Sequence, residues 1–209
     1  MRLKLAIIFI SVLCFCLTAP VNAARPQVEI QTNMGNIIIE LASYRSPATV
    51  KNFLRYVKDG FYDNTVFHRI ETDFVIQGGG FDLSYSYKES RAGIRNESDN
   101  GLLNKRGTIA MARTDDVHSA NSQFFINLSD NSSLDAKYGR FGYTVFGKVL
   151  SGMDVVDAIG QVATGEVSGV GTTVPINPVV VQSIRVYDPK QKKQQQSKQA
   201  QSTATKEEK

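Results

Sequence analysis

FHRIETDFVIQGGGF, residues 67–81, reads as two short apolar strands, 66–70 and 74–76, separated by a few polar residues. It carries His68, Arg69 and Gln77 among the hydrophobes and ends in three consecutive glycines. A permanent cation in such a run needs a reason, because most arginines simply point into water. The glycines do not continue as a phosphate loop, since neither a lysine-serine pair nor a helix start follows them. Three glycines at the end of a strand mark a bulge or a close approach of backbone.

Similar β-type runs flank this stretch on both sides: VEIQT (28–32), GNIIIEL (35–41), GTIAMA (107–112), SQFFINL (122–128), YTVFGKVL (143–150) and PVVVQSIRVY (178–187). With TVFHRI and FVIQG that makes eight, closely spaced and separated by turn signals. The pattern predicts a mainly β fold, an antiparallel barrel or sandwich rather than a parallel α/β sheet. Two helices interrupt it. In SPATVKNFLRYVKDG (46–60) Ser46 is the expected cap, Pro47 suits the first turn and Gly60 follows the end. Val50, Phe53, Leu54 and Val57 share one face, which is expected to plug the barrel. MDVVDAIG (153–160) is a shorter helix with Val155, Val156 and Ile159 inward. Residues 80–107 are polar and weakly patterned, so a long excursion packed on the barrel wall is expected there.

The ends differ from the body. Residues 1–23 read as an export signal: Arg2 and Lys4 precede an apolar run over 5–17, then Val21-Asn22-Ala23 supplies a cleavage site. No other segment approaches the roughly 20 apolar residues of a membrane helix, so no stable membrane insertion is expected after cleavage, and the mature chain is expected to be exported and soluble, in the periplasm or, as the alternative, secreted. Residues 190–209 are Gln/Lys-rich, with only Ala200 and Ala204 apolar, and are expected to be disordered. Of the formal net charge of +4, the signal carries two positive charges and the tail four, leaving residues 24–189 at −2. A basic balance confined to the ends argues against a nucleic-acid-binding body. The remaining length suits a single domain with a sizeable core.

Chemistry narrows by elimination. Both cysteines, Cys14 and Cys16, lie in the signal, so the mature chain has no disulfide and no thiol nucleophile. Two histidines, His68 and His118, are too few for an ordinary transition-metal site. No G-x-S-x-G elbow is present, and the Asp115, Asp116, Ser119 and Ser122 around His118 read as turn formers rather than as a hydrolase triad. What remains is a reaction that makes and breaks no ordinary covalent bond.

FHRI with FVIQGGGF, then GTIAMAR, NSQFFINL and LDAKYGRFGYTVFGKVLSGMDVVDAI, in this order, resemble the cyclophilin family of peptidyl-prolyl isomerases over nearly all of 28–187. The resemblance is closest to the periplasmic bacterial branch. It implies a closed eight-stranded antiparallel barrel capped by two α-helices, no cofactor, and proline-containing polypeptides as partners of a monomer that assists the folding of exported proteins. Its catalytic arginine falls on Arg69, with Gln77 beside it. Phe74, Val75, Phe125 and Leu134 fall on the proline pocket, Ala112 and Arg113 on the segment beside the peptide, Gln123 on a substrate-contacting glutamine, and Tyr143 where many eukaryotic members have histidine. Ser133 stands where those members have tryptophan, which implies weak binding of cyclosporin-type inhibitors. Val75 replaces a common methionine. Asp73 occupies a position that is often glycine, and because Asp tolerates a positive φ the turn is expected to survive. His68 is expected to point away from Arg69 along an alternating strand, in a structural role. A proline-peptide binding module or holdase chaperone using the same groove is the alternative reading.

Overall fold

A computed structural model describes residues 25–189, so the expected export signal and the Gln/Lys-rich tail lie outside the described residues. The strands are β1 (Gln27–Thr32), β2 (Gly35–Leu41), β3 (Thr65–Glu71), β4 (Val75–Asp82), β5 (Thr108–Met111), β6 (Phe124–Asn127), β7 (Val145–Ser151), β8 (Thr164–Val167), β9 (Gly171–Pro175) and β10 (Val179–Val186), with helices α1 (Pro47–Lys58) and α2 (Met153–Gly160). Eight strands close a barrel in the order β1-β10-β3-β4-β6-β5-β7-β2, and every neighbouring pair is antiparallel. These are the eight runs read from the sequence, and closure selects the barrel over the sandwich. The β8–β9 hairpin was not anticipated, because TGEVSGVGTTVP is rich in glycine and threonine and shows no sustained alternation.

Period-two patterning gives the barrel two apolar layers. Ile76, Ile109, Met111, Phe124, Ile126 and Phe146 belong to the interior core, together with Val28, Ile30, Ile37 and Ile39 from β1 and β2. The residues between them, Val75, Ala110, Phe125 and Val145, form a separate buried cluster on the outer wall of β4, β6, β5 and β7. Phe74, Leu102, Ala112, Leu134 and Tyr143 pack over that outer cluster. Fully burying one such large side chain stabilises the fold by roughly 1.5–3 kcal/mol.

Helix α1 buries Val50, Phe53, Tyr56 and Val57 in the interior core. Its Phe53 ring lies 5.7 Å from Phe124 and 5.1 Å from Phe146, centroid to centroid. Ser46 does not cap the helix with its side chain, contrary to the sequence reading. Its hydroxyl instead donates to Val145 O at 2.8 Å and accepts from Asn100 at 2.7 Å. The cap comes from Glu97 in the long excursion, whose carboxylate accepts from the amides of Ala48 (3.1 Å) and Thr49 (2.9 Å) and from the Thr49 hydroxyl (2.8 Å). A carboxylate at a helix N-terminus also complements the helix dipole. In α2, Val156 and Ile159 are buried and Val155 is half-buried against the same core.

Candidate active site

The site is assembled along one transverse row of the barrel. Arg69 on β3 pairs with Gln77 on β4, Gln77 with Phe125 on β6, Phe125 with Ala110 on β5, and Ala110 with Val145 on β7. Register therefore places a cation, an amide and an aromatic ring side by side on the outer wall. A bulge in β3 opposite Gly78 breaks simple alternation. As a result Phe67 and Ile70, three residues apart, both reach the interior core. The alternation that would send His68 to the face opposite Arg69 does not hold here. His68 is buried against Phe81, ring centroids 4.5 Å apart.

The glycine triplet lies inside β4 rather than beyond it. Gly79 has φ +84°, and a Cβ on it would sit 2.9 Å from Ser122 O. A Cβ on Gly80 would sit 2.6 Å from the Gln123 side chain, so that glycine makes room for Gln123.

Arg69 is held from two sides. Its Nη1 donates to Gln77 Oε1 at 3.3 Å and its Nη2 to Glu71 Oε1 at 2.6 Å, while Cζ lies 5.9 Å from the centre of the Phe74 ring. Gln77 Nε2 in turn donates to Gln123 Oε1 at 2.9 Å. Glu71 was missed in the sequence, although a residue two along a strand shares its neighbour's face, and that rule was enough to find it. With both side chains more than a third exposed, the ion pair orients the guanidinium and contributes little stability, about 0–1 kcal/mol.

Beside Arg69 opens a cleft of about 320 Å³ lined by Phe74, Val75, Phe125, Leu134 and Tyr143, with Gln77, Ala112 and Arg113 at its edge. Nine of the ten residues singled out from the sequence line it. The tenth, Gln123, borders an adjoining hollow of about 180 Å³ and reaches the cleft through Gln77. Hollows of about 410 and 610 Å³ occur elsewhere, so chemistry rather than size distinguishes this cleft: a guanidinium stands over apolar rings. Phe125 meets Tyr143 edge to face, centroids 5.7 Å apart.

The turn carrying Phe74 survives without glycine, with Asp73 at φ +59°. Phe74 N donates to Glu71 O at 3.0 Å, and Ser129 Oγ donates to Asp73 O at 2.5 Å. Asn131 donates to Phe74 O at 2.9 Å and accepts from Leu134 N through its own carbonyl at 2.9 Å, tying two walls of the cleft together. This positioning residue was also missed. His118 takes part in turn bonding, its N donating to Asp116 Oδ1 at 2.9 Å, and its Nδ1 accepts from Asn96 N of the long excursion at 3.1 Å.

Residues 27–186 match the family described as cyclophilin type peptidyl-prolyl cis-trans isomerase/CLD. The chain is 50% identical over 163 residues to a peptidyl-prolyl cis-trans isomerase of Acinetobacter baylyi, covering 78% of this chain and 86% of that one. It is 49% identical over 164 residues to peptidyl-prolyl cis-trans isomerase B of Escherichia coli, covering 77% and 99%. A crystal structure of a cyclophilin type isomerase of Cryptosporidium parvum, in the presence of the dipeptide Ala-Pro, superposes with a TM-score of 0.65 at 26% identity, covering 78% of this chain and 99% of that one. With the barrel and these matches in agreement, the chain belongs to the cyclophilin-type peptidyl-prolyl cis-trans isomerases.

Proposed function

We propose that Arg69 is the donor that accelerates rotation about X-Pro bonds in exported, unfolded or flexible polypeptides, and that the Phe74–Phe125–Leu134 cleft grips the proline ring. The carrying observation is the guanidinium fixed by Gln77 and Glu71 at the lip of that apolar cleft. The X-Pro amide rotates slowly because its C–N bond has partial double-bond character, with a barrier of about 18–20 kcal/mol. In the perpendicular state the conjugation is lost and the proline nitrogen carries a localised lone pair. A donor aimed at that lone pair binds the twisted state better than either planar isomer, which is the condition for catalysis.

A guanidinium has five N–H groups in a fixed plane and keeps its charge at any relevant pH. Gln77 and Glu71 take two of them, so others remain for the substrate. A hydrogen bond from a charged donor contributes roughly 1.5–3 kcal/mol, which is about one to two decades of rate. Further acceleration comes from holding the ring between Phe74, Phe125 and Leu134 while the preceding carbonyl swings, with Val75 and Tyr143 bounding the cleft. Ala112, Arg113 and Gln123 lie alongside to orient the peptide backbone. No bond is made or broken, so the step needs no cofactor. The C. parvum relative, crystallised in the presence of Ala-Pro, supports proline-containing peptides as ligands. The export signal read in residues 1–23 supports a periplasmic enzyme that acts on exported, folding clients.

The test is exchange spectroscopy on an Ala-Pro peptide. The intact protein is expected to accelerate isomer exchange, and Arg69→Ala to lower kcat/KM by about 10- to 100-fold with thermal stability retained. Binding in the groove without accelerated exchange by the intact protein would instead establish a proline-peptide binding module.

A further inference from the structure

Beyond Leu134 and Tyr143 the cleft runs into a second hollow of about 260 Å³, whose lining includes Arg113, Asp115, Ser133, Arg140 and Phe141. The two spaces share Arg113, Leu134 and Tyr143, so the second lies directly beside a chain seated in the first. The hollow has room because Ser133 is small and because residues 136–142 fold back tightly. Lys137 and Arg140 exchange backbone hydrogen bonds at 3.0 and 2.8 Å, and Gly142 passes so close to Ala136 N that no Cβ fits.

The charges in this hollow are unbalanced. Arg113 donates to three carbonyls, Thr114 O at 2.8 Å, Gly142 O at 3.3 Å and Phe141 O at 3.4 Å, with its guanidinium 4.7 Å from the Tyr143 ring centre. Arg140 donates to Ser133 O at 3.4 Å. Among the described residues, no carboxylate lies within 4 Å of either lining cation, Arg113 or Arg140. Asp115 is the acidic residue in the lining and offsets only part of the positive charge. Arg113 is already oriented by carbonyls, which do not neutralise it.

We infer that this hollow receives an acidic side chain of the client within two residues of the proline, so that the enzyme favours X-Pro bonds flanked by Asp or Glu. An extended chain advances about 3.3–3.6 Å per residue, which brings such a side chain from the proline cleft into the adjoining space. Charge complementarity of this kind acts on encounter and specificity and is screened by salt. The inference rests on the proposed reading of the cleft.

The experiment compares kcat/KM for otherwise identical proline peptides carrying Glu, Gln or Lys at each of the two positions on either side of the proline. At low salt Glu is expected to exceed Gln by about three- to tenfold in one register, with Lys below Gln, and the spread to collapse at high salt. Arg140→Glu is expected to reverse the order of Glu and Lys, with the Gln peptide as internal reference in the same variant. Equal acceleration of all three peptides in every register, or a preference that Arg140→Glu leaves unchanged, overturns the inference alone. No acceleration of any peptide overturns the reading of the cleft and the inference together.

Discussion

His68 adjoins Arg69 in sequence and stays uncharged. Burial, reinforced by the Arg69 cation, lowers its pKa from 6.5 to about 4, and its Nδ1 has no hydrogen-bond partner among the described residues. Such a base takes up a proton on unfolding. Its effect on stability is therefore nil above about pH 6.5 and grows as the pH falls toward 4, reaching a loss of about 3 kcal/mol. His68→Phe is expected to flatten that part of the stability–pH curve, read from urea midpoints between pH 7 and 4. At this scale the sequence was legible where a residue belongs to a contiguous block: Arg69, Phe74 and Gln77 stand in one, and Asp73 was read as tolerating the left-handed turn it adopts. Ser46 was misread because its hydroxyl chooses between a local amide and partners at Asn100 and Val145, a choice that only the folded chain offers.

Among the elements, the long excursion of residues 83–107 matters more than its weak patterning suggested. Its Glu97 caps α1, its Asn100 reaches β7 at Val145 O, and its Asn96 donates to Gly142 O and Val117 O beside the cleft. Glu97→Ala is expected to cost about 1–2 kcal/mol, seen as a lowered thermal midpoint, because two first-turn amides lose their acceptor. The barrel strands were legible because each is short, apolar and bounded by turn residues. Their register was not, since the bulge opposite Gly78 depends on how β3 and β4 meet. The asparagine contacts that fasten the excursion also escaped the sequence reading, because a polar side chain in a loop carries no period that points to its partner.

For the molecule as a whole, closure removes the free edges through which sheets aggregate. It also couples the eight barrel strands, so their amides are expected to exchange with deuterium together, through global opening. The β8–β9 hairpin pairs outside the ring, and β8 is expected to exchange first, as resolved by mass spectrometry of peptide fragments. The fold class was legible at this scale, since eight strands and two helices use up nearly the whole periodic pattern. The placing of the cleft on the outer wall was not, because it follows from which alternate residues of β4, β5, β6 and β7 face inward. That placing bears on what can be engaged. A trough along the exterior has no mouth to thread, so a long polymer is met side-on, mid-chain, with neither end needed, and leaves by lifting away.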